Sequence, residues 1–178
     1  MTGNALPIAQ TFDLGRLSRS GDRVVIAPSR DDLARIARWA DVAAIESFTA
    51  NIELRKLSPS RFAFDAELRA EIVQSCVVTL DPLHTKVERA FARELHLSPA
   101  AHRATSKFVD IEVTVLDEDG AEEIASLRYD LAVPVLEELA LAIDPYPRAP
   151  GAAFEAPKEG TESPVHPFAA LKKLKTTP

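Results

Sequence analysis

Residues 48–80 read FTANIELRKLSPSRFAFDAELRAEIVQSCVVTL, and their alternation decides the fold class. Phe48, Ala50, Ile52 and Leu54 are apolar, while Thr49, Asn51 and Glu53 between them are polar. A period of two is the mark of a strand with one face in a core. Ser58-Pro59-Ser60 interrupts it as a turn. The alternation resumes through Phe62, Phe64, Ala66, Leu68, Ala70 and Ile72 and on to Cys76, Val78 and Leu80. Asp65, Glu67, Arg69 and Glu71 fill the polar phase, and Gln74 breaks the apolar one. Twenty extended residues would span roughly 65 Å, whereas a compact chain of this size is only about 40 Å across. The run must therefore bend or break, and Gln74 marks a place for a bulge. Pro82 signals the next turn, and Val87, Phe91 and Leu95 mark a returning strand.

Moving outward, 6–12 and 22–27 are short apolar stretches read as strands, separated by a polar turn at Ser18–Gly21. Ser29, with Asp32 three residues on, signals a helix start. Leu33, Ile36, Ala37 and Ala40 then share one helical face, so the helix should run to about Ala40 with Trp39 as an anchor. Residues 109–115 alternate again and predict another strand, followed by an exposed turn at Asp117–Gly120. Asp130 can cap a second helix, with Pro134 in its first turn and Leu136, Leu139, Ala140 and Ile143 as its apolar stripe. Asp144-Pro145 ends it. The fold class that follows is α+β: a strongly bent antiparallel sheet or partial barrel, two main helices and a proline-rich C-terminal tail. Residues 1–143 read as one domain. Residues 144–167 hold six of the 13 prolines and read as a linker or surface-wrapped segment. Residues 168–178 read as a short basic amphipathic segment, because Phe168, Leu171 and Leu174 recur at helical spacing beside Lys172, Lys173 and Lys175.

Composition narrows the function. The chain of 178 residues is 46% hydrophobic and 27% charged, ordinary for a globular protein. No apolar run reaches the roughly 18 residues of a membrane helix, and the N-terminus lacks the pattern of a secretory signal. One cysteine suits a reducing cytoplasm. The net charge of −6 is uneven: residues 1–107 balance at +2, residues 108–178 at −8. Any phosphate contact therefore belongs to the first part, where Arg55, Lys56 and Arg61 bracket a hairpin tip and could hold RNA, although an ordinary solvated hairpin end is the plainer reading of such a cluster. No nucleotide-binding glycine motif, HExxH or nucleophile elbow is present. The four histidines show no metal-ligand spacing, so neither metal nor cofactor is expected. Cys76 lies on the apolar phase and reads as buried and structural. Glu137 and Glu138 are adjacent on a helix, point apart, and read as a solvated face.

Three segments resemble the YceD family, the large ribosomal RNA subunit accumulation proteins, in its alphaproteobacterial type. They are Val73–Pro82 around Cys76, Tyr129–Arg148 with Glu137, Glu138 and Pro145, and Pro167–Lys175, which resembles the family ending FAxLxxLK. Many relatives carry C-x-x-C where this chain has Cys76 and Thr79, and some carry further cysteines after the helix, where Pro145–Phe154 has none. A zinc role is therefore not carried over. The resemblance implies a non-enzymatic, cytoplasmic ribosome-biogenesis factor supporting accumulation of large-subunit (23S) rRNA. Its partner would be precursor RNA, a pre-ribosomal particle or an early ribosomal protein, with Phe168–Lys175 as a docking element. A protein-only adaptor without RNA contact is the alternative.

Overall fold

The computed structural model describes residues 6–98 and 120–153. In chain order these form β1 (Thr11–Asp13), one 3-10 turn (Leu14–Arg16), β2 (Asp22–Ile26), α1 (Arg30–Trp39), β3 (Ala44–Lys56), β4 (Arg61–Ser75), β5 (Pro82–Leu97), β6 (Glu122–Ile124), β7 (Arg128–Asp130) and α2 (Ala132–Ala142). The main sheet runs β2-β3-β4-β5-β6, and β1 pairs separately with β7. All pairs are antiparallel except β5–β6, which is parallel. Among the described residues the sheet is open, with β2 and β6 as its two edges. The α+β class therefore holds, as a bent sheet and not a closed barrel.

Three long strands carry the sheet. At about 3.3 Å per residue, the 15 residues of β4 span roughly 50 Å. The predicted bulge at Gln74 is not there: the β4–β5 ladder is regular through Gln74↔Leu83 and Ser75↔Pro82. The irregularity lies in β3 between Ile45 and Ser47. Ile45 and Phe48 are both buried although three apart, so one extra residue, Glu46, is accommodated there. The chain does not continue as a strand to Leu80. It turns at Cys76–Asp81, where Cys76 N–H donates to the Asp81 carbonyl (2.9 Å) and Leu80 adopts φ 64°.

Both helices cover one face of the sheet. Phe48, Ile52, Leu54, Phe62, Phe64, Leu68 and Ile72 meet Ile36 and Ala37 of α1 and Val135, Leu136 and Leu139 of α2 in one buried cluster. Phe64 packs edge-on against Phe91, centroids 6.1 Å apart. Helix α1 starts as its sequence dictates: Asp32 N–H donates to the Ser29 hydroxyl, and the Asp32 carboxylate reaches back to the Ser29 amide. Helix α2 differs in detail. Leu131 occupies the N-cap, and the Asp130 carboxylate, at the end of β7, accepts the amides of Ala132 (3.0 Å) and Gln10 (2.7 Å). Its buried stripe is Leu131, Ala132, Val135, Leu136 and Leu139, while Ala140 is exposed. The first predicted strand, 6–12, shrinks to β1, consistent with Pro7 lacking a donor for a longer ladder. Gly21 is required where it stands: at φ 84°, a Cβ there would lie 2.6 Å from the Leu54 carbonyl oxygen. The predicted strand 109–115 and the segments 154–167 and 168–178 lie outside the described residues.

Candidate docking site at the Cys76 turn

The other face of the sheet is solvated. Cross-strand register places Arg23, Glu53, Asp65 and Ala92 on it, then Asn51, Glu67 and Ala90, then Thr49, Arg69 and Glu88. Arg55 and Arg61 come together at its hairpin end, but each faces an acid. Arg55 binds Asp65, and Arg61 lies 3.5 Å from Glu94. Lys56 is on the opposite parity, with its Nζ 5.8 Å above the Phe62 ring. The three predicted RNA-binding cations thus share one end of the sheet without forming one open cationic surface.

The other end of the sheet is where the two motifs around Cys76 and α2 meet. The segment after α2 folds across the β4–β5 turn. Gln74 Nε2 donates to the Asp144 carbonyl (2.8 Å), and Val77 N–H donates to the Pro147 carbonyl (2.9 Å). Cys76 is fully buried beneath this crossing. Its Sγ accepts the amides of Val78 (3.4 Å), Thr79 (3.4 Å) and Ala149 (3.3 Å). The Thr79 side chain and these amides favour the thiolate, against the opposing effect of burial, and hold the thiol pKa down to about 6. Burial of Cys76 agrees with the strand-phase reading, but its place does not: it is the first residue of a turn. Its partners make it a knot between segments 73 residues apart.

These donors do not suit zinc. Four-coordinate zinc needs three or four thiolates, imidazoles or carboxylates. Cys76 is the single cysteine, Thr79 stands at the second position of the pair, and three amides already converge on the sulfur. Among the described residues no group of three or more His, Cys, Asp or Glu could hold a metal.

Beside the knot lies an open groove of about 630 Å³, walled by Asp41 and Val42 after α1, by Gln74, and by Ala140, Ile143 and Asp144 at the exit of α2. Pro145 also lines it. Large apolar side chains crowd this end: Leu80 is 77% exposed, Tyr146 71%, and Val77 and Leu141 are also open to solvent. Acids stand among them at Asp41, Asp81 and Asp144, all exposed.

Glu137 and Glu138 are not a free solvated pair. Arg93, on the core-facing parity of β5 with Phe91 and Leu95, reaches Glu138 at 3.3 Å and Glu137 at 3.5 Å. The sequence reading missed Arg93. Its signal was a charge on the apolar phase of a strand, which requires a partner. Phe168, Leu171, Lys172, Lys173, Leu174 and Lys175 lie outside the described residues.

No helix among the described residues is long and apolar enough to cross a membrane. No curated protein and no solved structure matches the chain. A family model described as large ribosomal RNA subunit accumulation protein YceD matches residues 64–175, which contain β5, α2 and the whole Cys76 knot. The chain therefore belongs to the YceD family, whose function is in the accumulation of large-subunit ribosomal RNA.

Proposed function

We propose that this protein is a non-enzymatic cytoplasmic factor that supports 23S rRNA accumulation by docking an early partner on the large-subunit precursor particle. The contact is the end of the sheet built by the Cys76 knot. One observation carries this reading: the two family motifs spend their polar groups on each other and turn Val77, Leu80 and Tyr146 outward beside Asp41, Asp81 and Asp144. Contiguous exposed apolar side chains with a charged rim suit a protein interface. The acidic rim selects a basic partner, the character of an early ribosomal protein bound to precursor RNA.

Direct RNA contact is the second reading, favoured by the +2 balance of residues 1–107. Arg30 and Arg38 on α1 have no acidic partner among the described residues, whereas Arg55 and Arg61 do. The two readings separate by salt. Phosphate contacts lose affinity steeply as salt rises, and an apolar interface does not. The test replaces Leu80 by Asn, which tolerates its left-handed backbone, together with Tyr146→Ser. Sucrose-gradient profiles should show the double variant leaving the large-subunit precursor fractions while its thermal unfolding is unchanged. Retained association would overturn the docking reading, and loss confined to Arg30→Ala/Arg38→Ala would establish the RNA one.

A further inference from the structure

We infer that the groove beside the Cys76 knot is the seat of this chain's own C-terminal segment, Phe168–Lys175. Three observations converge on that occupant. The charged side chains lining the groove, Asp41 and Asp144, are both acidic, and the rest of the lining is mostly aliphatic. The segment has the complementary pattern, three lysines beside Phe168, Leu171 and Leu174 at helical spacing.

Reach supports the same occupant. The chain passes the groove at Pro147, is tied to Cys76 at Ala149 and is described as far as Ala153. Fourteen residues lie between Ala153 and Phe168, a tether that extends to at most about 50 Å. A tethered ligand acts at an effective concentration far above that of a free partner. The family match also runs to residue 175, so it spans both the segment and the Gln74, α2 and Pro145 side of the groove. Docking in cis occupies the Asp41, Asp144 and Val77 part of this end of the sheet and leaves Leu80, Tyr146 and Asp81 for a partner. It does not depend on the proposed partner, because it concerns the isolated chain.

The test uses the full chain, a chain ending at residue 166, and Ala140→Arg in both. Ala140 is exposed on α2 and lines the groove, and arginine keeps helix propensity there while adding bulk and a charge that repels the lysines. Truncation should speed amide exchange in residues 41–43 and 140–146 by about tenfold. Ala140→Arg should do the same in the full chain and change nothing further in the truncated one. Added peptide Phe168–Lys175 should restore protection to the truncated chain and not to its Ala140→Arg variant. Unchanged exchange on truncation overturns the inference. So does an Ala140→Arg effect that is equal in both chains, and so does protection that rises with protein concentration, which would make the occupant a second copy's tail.

Discussion

Arg93 is a charge on the core-facing side of a strand, and its partners predict an asymmetry between two adjacent glutamates. Glu138 approaches it to 3.3 Å with 21% of its side chain exposed; Glu137 approaches to 3.5 Å but is 55% exposed. Solvent screens the second pair far more than the first. Glu138→Ala should therefore cost about 1–2 kcal/mol, in the range of a partly buried hydrogen bond to a charged group. Glu137→Ala should cost about 0.5 kcal/mol, as exposed ion pairs do. Arg93→Met keeps the aliphatic stem over the core and should cost roughly the Glu138 value, because the stem packs whether or not the head is charged. At about 2–4 °C per kcal/mol for a chain of this size, Glu138→Ala lowers the melting temperature by about 2–8 °C. Calorimetry with double-mutant cycles reads the couplings directly. The Arg93–Glu138 coupling should be the larger and should survive high salt in part, while the Arg93–Glu137 coupling should vanish. Equal couplings, or a larger one to Glu137, would refute the argument that burial and not proximity sets the strength of this clamp.

The Cys76 thiol should titrate near pH 6 by its ultraviolet absorbance, with Thr79→Val moving the midpoint up, since Thr79 contributes the largest stabilisation of the thiolate; a wild-type midpoint near 9 refutes that stabilisation. Because the folded value lies below the unfolded one, the stability contributed by this group is complete above about pH 9 and is lost as pH falls through about 6. The melting-temperature advantage of the wild type over Cys76→Ala should therefore shrink across that interval, and a constant difference counts against a thiolate. Changing Arg55, Lys56 and Arg61 together to Ala should alter the salt slope of any RNA binding by less than about one unit, because Asp65 and Glu94 already neutralise two of the three cations; a drop of about three units restores the hairpin tip as the RNA contact.

Local signals in the sequence carried over to the structure, and non-local ones did not. Ser29 and Asp32 are three residues apart, so the capping box of α1 is readable from the chain alone. The same holds for β3 and β4, whose alternation needs no knowledge of what covers them. The bulge was readable too, but in another place. Ile45 and Phe48 are both apolar and three apart, a break in the period of two, whereas Gln74 is polar for a different reason: it binds the Asp144 carbonyl. Burial of Cys76 was legible as strand phase, yet the cause is Ala149, 73 residues away, which no local window contains. The clamp on Glu137 and Glu138 was hidden in the same way, since adjacent acids on a helix look solvated until β5 brings Arg93 beneath them.

The family match begins at Phe64, inside β4, and this boundary separates two kinds of work within one core. Strands β2 and β3 and helix α1 precede it and contribute Ile26, Ile36, Phe48 and Ile52 to the buried cluster. Such residues can change together while keeping volume and pattern, because a core tolerates coordinated apolar replacement. The Cys76 knot is held differently. Its bonds join a thiol, a glutamine amide and three backbone amides across two distant segments, so each group fixes the position of another. Every donor and acceptor in the knot itself lies within residues 64–175, and only the Ala40–Ala43 wall of the groove comes from outside. Substitutions that separate docking from folding therefore belong at Leu80, Ala140 and Tyr146, which are exposed around the knot and lie outside the buried core.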